Sequence, residues 1–232
     1  MLKRLLLATS LFAATAQAVG PSQINVVYAL YRNGLELGQV TDTFTRTGNR
    51  YTLVSETRAT GPLKMLWPGN IHLESTGVVT AQGLRPMRFR HARSDAPDKL
   101  RTARLDWKHH VITYQYQGES RQVVGLKKGA QDQLSQLYQF MFAPALPADY
   151  SIQVVGGRDL NDFHYVRSEG GAIQTPLGAL DTLQYRRITQ RPDEKSITVW
   201  VAPGRNNLPV QIRVSEDGVT LEQRLVRASV KG

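Results

Sequence analysis

From residue 24 onward, apolar and polar side chains in this chain alternate with a period of two, in short runs broken by Gly, Asn and Asp. That pattern suits extended strands, where residues i and i+2 share a face, and does not match the 3.6-residue period of a helix. Residues 24–46, INVVYALYRNGLELGQVTDTFTR, read as a hairpin turned at Asn33-Gly34, a pair that tolerates positive φ. Gly48-Asn49 turns the chain into YTLVSETRA. NIHLESTGVV, LRPMRFRHAR, RTARLDW, HVITYQYQ and SRQVVGL continue the series. In LRPMRFRHAR, the period of two puts Met87, Phe89 and His91 on one face and Arg88, Arg90 and Ala92 on the other. YSIQVVGG, DFHYVRSEGG, GALDTLQYRRITQ, KSITVWVAP, LPVQIRVSEDG and VTLEQRLVRA complete it, with Asp217-Gly218 as another hairpin turn.

One stretch departs from the rule. In AQDQLSQLYQFMF, residues 130–142, Leu134, Leu137, Tyr138 and Met141 recur at i, i+3, i+4 and i+7, an apolar stripe of about two helical turns. Asp132 and Ser135 suit its first turn, where free amide hydrogens need acceptors, and Pro144 and Pro147 end it. These patterns predict an all-β fold. It is a single antiparallel sheet, strongly curved or closed (open-barrel-like), with one short covering helix near residues 131–142 over its concave apolar face.

The first residues set the compartment. MLKR is a positively charged start, LLLATSLFAAT an apolar core, and Ala16-Gln17-Ala18 a small-residue cleavage site. Together they predict a signal peptide over residues 1–18, a single domain over 19–232, and a periplasmic address. No Cys stands at the cleavage point to take a lipid, and no later apolar run reaches the roughly 18 residues of a membrane-spanning helix. The chain contains no Cys at all, which excludes disulfides, thiol catalysis and Cys-based metal sites. Its net charge of +10 falls to +8 if Lys3 and Arg4 leave with the leader. Such a charge favours anionic partners, and in this compartment those are a lipid, lipopolysaccharide or another envelope component rather than nucleic acid.

Catalytic motifs are absent from the sequence: no Gly-x-Ser-x-Gly elbow, no His-Glu-x-x-His pair, no phosphate-cradling Gly-rich loop. Of the five His residues, His109 and His110 are neighbours whose side chains diverge. His72 with Glu74, and Asp162 with His164, are i, i+2 pairs sharing a strand face. Each would serve a base or a metal only with further partners that spacing does not supply, so no catalytic set, metal site or cofactor is implied. The ligand-binding candidates are of three kinds. Arg88, Arg90 and Arg101 would grip phosphate or carboxylate groups, the alternative being a solvated strand face. Leu63, Leu66 and Trp67 of GPLKMLWPG form an apolar wedge for a lipid interface, or else fold inward across one end of the sheet. Tyr138 and Met141 stand on the covering helix. Trp107 and Trp200 read as core or rim aromatics.

Six segments, in order along the chain, resemble the DUF3108 family of secreted bacterial proteins. They are YALYRNGLELGQV, GLRPMRFRHAR (83–93), ARLDW (103–107), QDQLSQLYQF (131–140), TPLGALDTLQYRR (175–187) and VWVAPGRNNLPVQIRV (199–214). The resemblance implies β architecture and an envelope location, and carries over no catalytic residues. The helix-capped curved sheet is also similar in architecture to the open barrels of periplasmic lipoprotein carriers. The function expected is therefore non-catalytic, either binding an apolar or amphiphilic envelope molecule or supporting an envelope assembly. The alternatives are a cell-wall or polysaccharide enzyme using paired carboxylates such as Glu74 and Asp162, or a purely structural adaptor.

Overall fold

Asn33 and Gly34 both take positive φ, 47° and 87°, and so do Asp217 and Gly218, 49° and 74°. The hairpins therefore turn where the sequence places them. The computed structural model describes residues 20–61, 69–191 and 193–232. The predicted leader, and Leu63, Leu66 and Trp67 of the apolar wedge, lie outside the described residues. In chain order the first strands are β1 (Gln23–Arg32), β2 (Leu35–Thr47), β3 (Arg50–Ala59), β4 (Ile71–Thr80) and β5 (Gly83–Arg93). Then come β6 (Arg101–Asp106), β7 (Val111–Tyr116) and β8 (Glu119–Val124). A two-residue strand, β9 (Gln131–Asp132), leads into one helical turn, α1 (Ser135–Tyr138). The rest are β10 (Asp149–Val155), β11 (Leu160–Thr175), β12 (Gly178–Ile188), β13 (Ser196–Ala202), β14 (Leu208–Glu216) and β15 (Val219–Lys231).

All fifteen strands belong to one sheet, ordered β8-β7-β6-β5-β4-β3-β2-β1-β15-β14-β13-β12-β11-β10-β9. Every ladder is antiparallel except β9 with β10. The first and last strands pair at the middle of the sheet, Gln23 opposite Lys231 through Arg32 opposite Leu221. The two edges, β8 and β9–β10, are not joined by a ladder, so the sheet curls without closing. Side chains bridge the seam instead. Gln153 accepts from the Lys127 amide (2.9 Å) and donates to the Gly125 carbonyl (3.2 Å). The Tyr114 hydroxyl donates to the Asp159 carbonyl (2.7 Å).

The helix differs from its expectation in length and in surroundings. α1 is a single turn, prolonged by a 3-10 turn over Gln139–Met141. It is short because Gln131 and Asp132 are spent as strand, paired with Val154 and Val155. Asp132 Oδ1 then accepts the Leu134 and Ser135 amide hydrogens (2.9 and 2.8 Å) and starts the turn, as its position suggests. The segment does not lie over the sheet with one face in water. Leu134, Ser135, Tyr138, Phe140, Met141 and Phe142 are all buried, because the curled sheet surrounds the segment. On one side Leu134, Tyr138 and Phe142 join the core of Ile24, Tyr28, Phe44, Leu53 and Phe89. On the other, Phe140 packs with Ile152, Tyr165, Tyr185 and Val199.

Two buried carboxylates anchor this plug. The Tyr138 hydroxyl donates to Asp42 Oδ2 (2.6 Å) and lies 3.4 Å from the Tyr28 hydroxyl, which donates to the Pro209 carbonyl (2.9 Å). Asp132 Oδ2 accepts from Ser75, whose hydroxyl meets that of Tyr51 (2.9 Å). Burial pushes both carboxyls up to about 6, while their hydrogen bonds hold them back.

Candidate functional site

Register decides which side chains enter the hollow. Ser75, Phe89, Ala103 and Tyr114 are cross-strand neighbours and all buried, which marks the inner face of β4 to β7. Two residues along, Leu73, His91, Arg101 and Tyr116 occupy the same face. They stand beyond the plug, where the curled sheet opens. Arg101 therefore points inward, and Arg88 and Arg90, flanking Phe89, point outward. The three do not form one anionic grip. The residue that joins Arg88 on the outer face is Arg104, directly opposite it. A one-residue difference in strand phase, invisible before the β5–β6 register is known, separates the two groups.

Two other candidates are also placed differently. Tyr138 is fully buried and committed to Asp42, and Met141 sits in the packed core. Neither has a surface left for a ligand. Met87 does not share the inner face with Phe89 and His91. The ladder skips it at a bulge between Thr76 and Gly77, which turns its side chain outward to 43% exposure.

The open end holds two cavities that meet at Gln133, Asp159 and Lys195. The first, about 720 Å³, has Leu73, Leu137 and Val214 as its half-buried apolar members, and its polar lining includes Gln133, Gln136, Arg187 and Lys195 with the carboxylates Asp159, Asp162, Asp193, Glu194 and Glu216. The second, about 790 Å³, is lined by Arg101, Arg121, Arg158, Lys195, Tyr114 and Tyr116, with Glu119 and Asp159 as its carboxylates. Either volume lies in the range of small-molecule sites, roughly 300–1,000 Å³.

Arg101 is the unusual member of this lining. Gly157 lies so close to it that a Cβ there would come within 2.9 Å of its side chain. This packing buries Nε, which has no hydrogen-bond partner among the described residues. The guanidinium carbons of Arg101 and Arg158 lie 5.6 and 4.6 Å from the Tyr116 ring centroid, and that of Arg121 lies 5.5 Å from the Tyr114 ring. Among the described residues neither Arg101 nor Arg158 has a carboxylate within ion-pair distance. His91, next to Arg101, has its pKa lowered by burial and then by Arg101 and Arg93. Arg187 also faces the hollow, 4.0 Å from the Phe163 ring, but it is paired with Glu194 (3.4 Å).

Sequence reasoning missed Tyr114, Tyr116, Arg121, Arg158 and Lys195. The spacing in HVITYQYQ does place both Tyr on one face. Nothing local marks Arg158 or Lys195, which arrive from loops on the opposite wall.

Of the His–carboxylate pairs, His72 and Glu74 are on the outer face, and Asp162 and His164 line the first cavity. His72 lies 3.7 Å from Glu74 and 3.5 Å from Glu56. His164 turns to Asp149 (3.2 Å) and Ser151 (3.2 Å), leaving Asp162 to Lys127 (2.8 Å). Glu74 stands on the outer face of β4, opposite Arg90, whereas Asp162 on β11 lines the first cavity, so the two do not share a groove. Among the described residues no cluster of three or more His, Asp or Glu has the geometry to hold a metal ion.

A family model described as "Protein of unknown function (DUF3108)" matches residues 26–224. The chain belongs to the DUF3108 family. The match runs from β1 into β15, across the whole curled sheet. No curated protein matches this DUF3108 chain. Among solved structures, it is similar to a beta-barrel-like protein of the domain of unknown function DUF1849 from Brucella abortus. The TM-score is 0.62 at 12% identity, over 93% of this chain and all of that one. The likeness shows a shared fold. A DUF1329 family protein from Desulfovibrio piger aligns over 90% of this chain and 86% of its own at 10% identity, but its TM-score of 0.24 carries no argument. Among the described residues of the DUF3108 chain, no helix is long and apolar enough to cross a membrane.

Proposed function

We propose that this protein is a non-catalytic periplasmic binder of an amphiphilic molecule with an anionic head, held in the open end of the curled sheet. One observation carries the reading. Arg101 points into a hollow with its Nε buried and unpartnered, beside a second cationic side chain that also lacks a carboxylate. Partial burial of an uncompensated charge costs stability unless an anion completes it. The half-buried Leu73, Leu137 and Val214 of the adjoining cavity supply the apolar part of the site, where each buried methylene is worth about 0.8 kcal/mol. The leader predicted from the sequence and the positive charge support an envelope ligand, and the plug beneath the cavity gives it a floor.

Titration of the full chain with dodecyl phosphate below its micellar concentration, and with dodecanol below its solubility limit, tests the reading. A charge-assisted hydrogen bond is worth about 1.5–3 kcal/mol, so the phosphate should bind about 10- to 100-fold more tightly than the alcohol. Arg101→Gln should remove most of that preference while leaving the folded protein at least as stable. Equal affinity for the two probes, or binding of neither, overturns the proposal.

A further inference from the structure

A second cationic surface lies on the other face of the same strands. On the outside of β5 and β6, Arg88 and Arg104 are directly opposed across the ladder. Like charges so placed repel, their Cβ atoms being about 5 Å apart. Arg85 and Lys108 lie beside them in a shallow concavity of about 770 Å³, with Met87 and Trp107. Among the described residues none of these four cations has a carboxylate within ion-pair distance. Asp106, the one acid in the concavity, is already occupied. It accepts from the Lys108 and His109 amides (3.0 and 3.1 Å) and meets the His109 ring (2.8 Å).

The apolar members are positioned too. The Trp107 indole donates to the Pro86 carbonyl (2.7 Å) and carries Arg85 over its ring at 4.8 Å. The β5 bulge turns Met87 out to the same level. From this we infer that the outer β5–β6 face docks on an anionic lipid bilayer. The chemistry is that of a membrane surface rather than a single phosphate. The guanidinium groups are exposed and spread in a row, so each contributes weakly, and many headgroups must be met at once. A half-buried Trp and an exposed Met in the same concavity as the cations suit the boundary between headgroups and acyl chains. On β14 and β15, by contrast, the neighbouring Arg213 and Arg224 are neutralised by Glu222 between them.

Sedimentation of the full chain with phosphatidylcholine vesicles, with and without phosphatidylglycerol, tests this. Binding should require the anionic lipid and weaken as salt is raised. At about 1 kcal/mol for each surface cation, Arg88→Gln with Arg104→Gln should weaken it about 30-fold. Arg88→Lys with Arg104→Lys should retain it. A control of equal charge loss, Arg32→Gln with Arg205→Gln, taken from exposed positions far from the concavity, should bind as the wild type does. Equal binding to neutral vesicles, equal loss in the control, or a soluble polyanion such as polyphosphate competing as well as vesicles would overturn the inference. Dodecyl phosphate affinity in the hollow should not change in the Arg88/Arg104 variants, so the two surfaces fail or stand separately.

Discussion

Asp42 shows how one side chain sets the behaviour of the interior. It is 2% exposed, takes the Tyr138 hydroxyl on Oδ2, and has no hydrogen bond to Oδ1 among the described residues, with the Ser55 hydroxyl nearby partly offsetting the effect of burial. Burial raises its pKa from 3.8 to about 6. A raised carboxyl pKa means that folding favours the protonated form. The associated stability is complete below about pH 4 and is lost as pH rises through about 6. At about 1.4 kcal/mol per unit, the loss is about 3 kcal/mol, and Asp132 adds a similar contribution in the same window. Asp42→Asn keeps an acceptor for Tyr138 and removes the charge. Urea unfolding at pH 5 and pH 8 should show the variant gaining on wild type at the higher pH, with a shallower dependence between them. An unchanged pH slope would refute the assignment.

At the scale of elements, the plug is fixed to the β4–β5 turn by amide side chains acting as strand partners. Gln139 accepts from the Leu84 amide (2.7 Å) and donates to the Gln82 carbonyl (3.0 Å), and Gln131 donates to the Leu84 carbonyl (2.7 Å). This approach requires Gly83. Its φ is +106°, and a Cβ there would stand 2.4 Å from the Gln139 amide. Gly83→Ala should cost about 1–3 kcal/mol in urea unfolding. In a double-mutant cycle with Gln139→Ala the losses should fall well short of additive, because both act on one contact. Full additivity would show that the turn and the plug are independent. The plug's apolar spacing was legible in the sequence. Its length was not, because pairing of Gln131 and Asp132 with β10 is a contact between distant segments. Nor was its packing against two walls, since an amphipathic stripe records one face and the second wall is invisible locally.

At the scale of the molecule, the sheet is a curl whose seam is held by side chains. Gln153 makes two of the seam contacts. Gln153→Ala should speed amide hydrogen exchange across β8 and residues 125–127, with little change in melting temperature, since the ladders elsewhere are untouched. Equal protection in wild type and variant would mean that the edges are held by other contacts. Pairing of β1 with β15 brings the first and last strands together at mid-sheet. Such non-local contacts are made only after loop-closure entropy has been overcome.

Period-two alternation and Gly/Asn/Asp turns were enough for the sequence alone to determine the strands, the hairpins, the single sheet and the site of the one helical segment. These depend on local stereochemistry and on residues within a few positions of one another. Tertiary structure alone decided that Arg101 faces the hollow while Arg88 and Arg90 face away. It also decided that Tyr138 is a core residue, and that Tyr116 and Arg158 meet from opposite walls. The face a strand turns inward depends on register with its neighbours and on bulges such as that at Met87. Those are settled by packing across the whole sheet, where no short stretch of sequence records them.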